Sequence, residues 1–167
     1  MNIKLAKTAR VEASKFFHGN IMGVKSNLQP IANLFPISST WNLDSWENCW
    51  CAAFIYYVII KAGYELPVKY PDEKVTCNFA GCIAWEQWAK LEYNKFWFEP
   101  NTEAEVGDIV LFDNIFLNQE HDHIAIIVDF ENDFIVTAEG NFNNVSAIVK
   151  RDKKANIRGF IRFEGFG

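Results

Sequence analysis

The 167-residue chain predicts an α+β domain, with helices in its first half packed on an antiparallel sheet formed by its second. Two observations carry this. Helix formers and one unbroken apolar run, from Trp50 to Ile60, occupy the first half, whereas after Trp97 short β-branched and aromatic runs alternate with Asn, Asp and Gly. Helices first and strands later put the two kinds of element on separate sides, so the helices should cover one face of a curled sheet. Composition agrees: 50% of residues are hydrophobic, 16% aromatic and 22% charged, the balance of a globular chain able to bury a core. With no linker, repeat or low-complexity stretch to divide it, a single domain over residues 1–167 is expected.

The elements follow in order. Good helix formers run from Ile3 to Phe17 and stop before Gly19, which suits a terminating position. The stretch from Gly23 to Ser45, rich in Asn, Ser and Pro, reads as loop with room for one short helix. Next comes the apolar run. Asn48 is placed to cap it through its side-chain oxygen, and Gly63 closes it after Lys61, so Cys51 falls in the first helical turn. A third helix is expected over Phe79–Leu91, with Ile83, Trp88 and Leu91 close to one face. The strands are Gly107–Phe112, His123–Phe130, Phe134–Ala138, Ala147–Lys150 and Arg158–Phe163, joined as an antiparallel meander.

Several functions are disfavoured. The net charge is −5 and the one dense cationic cluster is Lys150-Arg151 with Lys153-Lys154, so nucleic acid is not an expected partner. The longest apolar run falls far short of the roughly 18 residues of a membrane span, so no membrane insertion is expected. Residues Met1 to Lys7 carry charges but no apolar signal core or small-residue cleavage site. The expectation is synthesis in the cytoplasm without a signal peptide, any external target being reached by release or delivery along another route.

Four cysteines, Cys49, Cys51, Cys77 and Cys82, admit a zinc site or disulfides on count alone, but their spacings match neither well. Cys49, Cys77 and Cys82 are read as small buried hydrophobes. Asp129, Glu131 and Asp133 read as a solvated hairpin turn, and no metal or cofactor is expected.

The chemistry gathers around Cys51. A thiol near pH 7 is mostly unreactive; a helix N-terminus and a neighbouring imidazolium both favour the thiolate. His123 begins an apolar strand and is the candidate base; Glu139 is the candidate acceptor for the other imidazole N–H, fixing tautomer and ring orientation. Asn141 lies two residues further on, and on a regular strand its side chain shares a face with Glu139. Rivals stand beside each: Cys49 for Cys51, and His121, two residues from His123 and facing the same way on a strand. His18, near a helix end, is not a catalytic candidate. Of the six tryptophans, Trp46 is put forward as a cleft residue contacting substrate, against the ordinary reading of Trp as core.

Five blocks in order give these residues a context: Trp50-Cys51-Ala52-Ala53-Phe54, Trp85-x2-Trp88-Ala89-Lys90, Val106-Gly107-Asp108-Ile109-Val110-Leu111-Phe112, His123-Ile124-Ala125-Ile126-Ile127-Val128 and Glu139-Gly140-Asn141. Together they resemble the CHAP domain, the cysteine- and histidine-dependent amidohydrolases and peptidases that cut bacterial peptidoglycan on a papain-like fold. The resemblance covers the core region from about residue 41 to 167 and selects Cys51 over Cys49 and His123 over His121. It implies that Glu139 and Asn141 belong to the site, as orienting and supporting groups. Some relatives bind calcium near the N-terminus through clustered aspartates, a cluster this chain lacks. The implied reaction is cleavage of a peptidoglycan amide through a Cys51 acyl-enzyme, as an N-acetylmuramoyl-L-alanine amidase or as an endopeptidase on the stem or cross-bridge. The alternatives are a non-catalytic wall-binding or interaction protein of the same fold, and a thiol amidase or isopeptidase acting on a protein.

Overall fold

A computed structural model describes residues 1–21, 23–36 and 49–163. The N-terminal helix, α1 (Ile3–Ala13), is capped by Asn2, whose side-chain oxygen accepts the Leu5 N–H at 3.0 Å. It is shorter than the sequence suggests. Phe16 turns into the left-handed region at φ 55°, and the Phe17 N–H bonds the Ser146 hydroxyl at 2.8 Å instead of continuing the helix. A single turn, α2 (Gln29–Ala32), carries Pro in its first turn and occupies the loop-rich stretch.

The apolar run forms α3 (Cys51–Lys61), in which every residue from Cys51 to Ile59 is buried. A helix apolar on all sides needs cover on all sides. Here α1 and α2 flank it while β3 and β4 lie beneath. Trp50 occupies the capping position, and among the described residues no side chain caps the first turn. Asn48 itself lies outside the described residues.

The third helix, α4, spans Cys82–Ala89 rather than Phe79–Leu91. The Phe79 N–H is drawn to the Val68 carbonyl at 2.9 Å and Asn78 bonds the Ala80 N–H at 3.0 Å, so the chain before Cys82 is a turn. Trp85, Trp88 and Ala89 form its buried face; Ile83, expected there, is 39% exposed.

Six strands follow: β1 (Trp97–Phe98), β2 (Ile109–Phe112), β3 (His123–Glu131), β4 (Phe134–Phe142), β5 (Val145–Asp152) and β6 (Ile157–Ile161). Among the described residues they make one antiparallel sheet in the order β1-β6-β2-β3-β4-β5. Strands β2 to β5 are the expected meander. The last strand departs from it, returning to lie between β1 and β2, and β1 was not foreseen because two residues carry no period.

One sheet face is covered by α1 and α3, where Ile124, Ile126, Val136 and Ala138 join the main core. The other face holds a smaller cluster of Val110, Phe112, Ala125, Ile127, Ile135 and Phe160. Both faces of β2 and most of β3 are therefore buried, which is why these strands read as continuous apolar runs. The hairpin between β3 and β4 carries exposed Asp129, Glu131 and Asp133, in line with a solvated turn. Among the described residues no helix is long and apolar enough to cross a membrane.

Candidate active site

The start of α3 meets the sheet where β3 begins and β4 nears its end. Gly140 makes this approach possible: a Cβ there would overlap the Phe54 side chain and the Trp50 ring. Trp50 is fully buried, packs edge-on against Phe54 with ring centroids 6.4 Å apart, and donates its indole N–H to Asn144 at 3.0 Å. The helix start is thus tied to the β4–β5 turn.

Cys51 is the first residue of α3 and forms the floor of a cleft of about 440 Å³, whose walls include Gly81, Phe116, His121, Asp122 and Asn141. The His123 imidazole lies beside the Cys51 sulfur, near enough that each shifts the other's titration. Its Nε2 lies 2.8 Å from Glu139 Oε2, which leaves Nδ1 for the sulfur. Cys51 is 7% exposed, His123 1% and Glu139 0%; Cys51 and His123 both line the cleft, and Glu139 lies behind them.

Glu139 is a fully buried carboxylate with every oxygen engaged. Oε2 faces His123 and accepts from Arg151 Nη2 at 2.6 Å; Oε1 accepts from Arg151 Nε at 2.6 Å and from the Thr137 hydroxyl at 2.5 Å. The Arg151 guanidinium lies over the rings of Phe112 and Phe116, 5.2 Å from each centroid, and of Phe142 at 5.8 Å. Phe116 also packs edge-on against His123, centroids 5.0 Å apart.

These contacts set the charges. Burial alone would push Glu139 up, but hydrogen bonds from His123 and Arg151 override it and hold the carboxyl at about 2. Burial likewise works against a charged His123; the bonds to the Cys51 sulfur and to Glu139 raise it to about 9. The Cys51 thiol is held well below its ordinary value, first by the hydrogen bond from Cys82, against burial, and then by His123 and the Ala52 N–H. Both shifts favour the thiolate–imidazolium form of the pair.

The described sequence candidates have definite positions. His123 and Glu139 are hydrogen-bonded, and Cys51 lies beside His123. Asn141 lines the same cleft but not as reasoned: β4 bulges, Gly140 and Asn141 together opposing Ser146, and Asn141 turns left-handed at φ 61°. The shared-face argument fails there. Its Oδ1 is buried without a hydrogen-bond partner and it does not bond His123 or Glu139. Trp46 lies outside the described residues.

The rivals are elsewhere engaged. His121 sits in a loop at φ 52° with its ring Nε2 on Glu86, which also binds Arg158 and Lys90. Cys49 is exposed and left-handed at φ 78°; partial burial, then the charges of Cys51 and Asp122, push its thiol up. Reading Cys49, Cys77 and Cys82 as buried hydrophobes is corrected: Cys49 is exposed, and Cys82 lines the cleft with its sulfur 3.7 Å from that of Cys51.

Arg151, Thr137 and Cys82 were not foreseen. For Arg151 a signal existed: period-two alternation puts Ala147, Val149 and Arg151 on one face of β5 and Lys150 on the other. Among the described residues no group of three His, Cys, Asp or Glu side chains is arranged to hold a metal ion.

A thiol at a helix start, an imidazole beside it and a carboxylate bonded to the imidazole, carried on helices against an antiparallel sheet, make up the cysteine-nucleophile class of site. The chain belongs to the CHAP domain family, whose model matches residues 43–141, a span holding Cys51, His123, Glu139 and Asn141. That family is of the peptidoglycan amidase and peptidase type. No curated protein and no solved structure matches the chain.

Proposed function

We propose that this protein is a cysteine hydrolase that cleaves an amide bond of bacterial peptidoglycan through a Cys51 thioester. The observation that carries the reading is the buried, hydrogen-bonded series His123, Glu139 and Arg151 behind Cys51 at a cleft that Cys51 and His123 line.

The steps follow from the charges. The Cys51 thiolate attacks the amide carbonyl. The first-turn N–H groups of α3, uncapped by any side chain among the described residues, are available to the developing oxyanion, an interaction worth about 3 kcal/mol per donor. The imidazolium of His123 gives its Nδ1 proton to the departing amine, leaving the acyl group on sulfur. Water then enters where the amine left, His123 takes its proton, and the carboxylate product departs as the thiolate reforms. Glu139 keeps the imidazole in one orientation throughout, and Arg151 keeps Glu139 ionised in a site that excludes water. Asn141, at the cleft wall, is kept as a supporting residue of the site.

The test is digestion of defined peptidoglycan with the purified protein, the new termini identified by mass spectrometry. An amidase frees the amino group of L-alanine from the lactyl carboxyl; an endopeptidase frees an amine within the stem or cross-bridge. Cys51→Ala should give no product while remaining folded, and Cys49→Ala should remain active. Equal product from the parent and Cys51→Ala would overturn the reading. Uniformly slow alkylation of all four cysteines by iodoacetamide at pH 6–7 would instead favour a non-catalytic wall-binding protein.

A further inference from the structure

The Cys51 and Cys82 sulfurs lie 3.7 Å apart across the cleft floor, in contact but unbonded. Cys82 is the first residue of α4, after Gly81, and its sulfur is within hydrogen-bonding contact of the Cys51 sulfur. Nothing in the acyl-transfer steps uses it. We infer that Cys82 is a resolving cysteine, and that hydrogen peroxide converts the pair into a reversible Cys51–Cys82 disulfide that shuts the active site.

The inference rests on Cys51 being the nucleophile. In the first step the Cys51 thiolate attacks one peroxide oxygen, the O–O bond breaks, hydroxide leaves, and Cys51 becomes a sulfenic acid, its sulfur oxidised by two electrons. In the second, Cys82 sulfur attacks Cys51 sulfur, the S–O bond breaks and hydroxide leaves, both hydroxides taking up the thiol protons to give water. The sum is two thiols and one peroxide to one disulfide and two waters.

The order of events is built into the pair. While Cys51 is a thiolate, its hydrogen bond and its charge hold Cys82 protonated, with the thiol well above its ordinary value. Once Cys51 is a neutral sulfenic acid both effects vanish; burial and the Asp122 charge still raise Cys82, and the α4 N-terminus works against them on a thiol at contact distance. The sulfurs have only to close from 3.7 Å to about 2 Å. Cys51 at 7% exposure admits a peroxide from the cleft, and the disulfide would occupy the position the substrate carbonyl needs.

The experiment treats the reduced full chain with hydrogen peroxide, digests it without reduction and maps cross-links by mass spectrometry. A Cys51–Cys82 peptide, loss of two of the four thiols, and activity restored by dithiothreitol are expected. Cys82→Ser should instead yield a dimedone-trapped Cys51 sulfenic acid that proceeds to sulfinic acid, with activity lost beyond rescue by dithiothreitol. Cross-links through Cys49, or equal rescue of the parent and Cys82→Ser, would overturn the inference. Cross-link mapping needs no substrate. A reduced protein that forms the disulfide yet cuts no peptidoglycan would sink the proposed function and leave the resolving pair intact.

Discussion

Arg151 holds Glu139 by two parallel hydrogen bonds, Nε to Oε1 and Nη2 to Oε2, each 2.6 Å long. The guanidinium lies among three aromatic rings and is 12% exposed on its side chain, while the carboxylate is fully buried. Truncating one partner of such a pair strands the other charge away from water, at a cost of about 3–5 kcal/mol. Arg151→Met should therefore lower unfolding free energy in urea by about that amount and reduce kcat at least about tenfold. Arg151→Lys should recover part of the stability but not the bidentate geometry. A loss within about 0.5 kcal/mol, the range of an ordinary surface substitution, would show that the pair does not support the site.

Glu139→Gln tests the proton held on His123. Removing the carboxylate takes away a hydrogen bond and a negative charge that raise the imidazole to about 9, so the imidazole pKa should fall. The alkaline limb of the kcat/KM profile, which follows loss of the imidazolium from the thiolate pair, should lie near pH 9 in the parent and move to lower pH in the variant. An unmoved limb would separate Glu139 from the titration of the pair.

Stability itself should depend on pH, chiefly at the acid end. Glu139 and Glu86 are depressed to about 2 from an ordinary 4.5; burial opposes the shift in both, and it is overcome by His123 and Arg151 for Glu139 and by Arg158, Lys90 and His121 for Glu86. Their contribution is fully present above about pH 4.5 and lost as pH falls through about 2. His123 is raised from 6.5 to about 9, so its contribution is present below 6.5 and lost as pH rises through 9. The lowered Cys51 thiol contributes with the opposite sign over that same interval, so the two largely cancel, and urea midpoints should fall chiefly at the acid end, between pH 4.5 and pH 2.5.

Gly140→Ala places a methyl group against Phe54 and Trp50, at the contact that lets β4 meet the start of α3. Overpacking of this kind costs about 1–3 kcal/mol, and relief requires the strand to move away from Cys51. Melting temperature should fall, and kcat should fall more than the loss of folded protein explains, since small displacements between nucleophile and base are costly. Parent-like kcat and melting temperature would mean the close approach is not needed.

Much of this fold could be read along the chain because its signals are local. The all-apolar stretch after Trp50 had to be a buried helix, and the β-branched runs bounded by Asn, Asp and Gly had to be strands. Boundaries failed where tertiary hydrogen bonds replaced helical ones, as at Phe17 with Ser146 and Phe79 with Val68. The position of β6 beside β2 escaped for another reason: strand order is a matter of long-range pairing, which no local period encodes.

The sequence by itself determined which residue types stood where: a cysteine opening an apolar run, a histidine opening a strand, and a Glu-Gly-Asn triplet. Local pattern suffices for these, because helix starts and strand starts are set by neighbours within a few residues. What the tertiary structure decided is who meets whom. Alternation put His123, Glu139 and Arg151 on the sheet face away from the core of α3, and only the curl of the sheet and the missing Cβ of Gly140 bring Cys51 around its end to them. Arg151, read as part of a surface cluster, turned inward because its strand parity carries it to Glu139, while Lys150 beside it stayed 60% exposed on Glu131. Cys82 came to rest on Cys51 from a different helix, 31 residues along the chain, where contact depends on packing and not on sequence spacing.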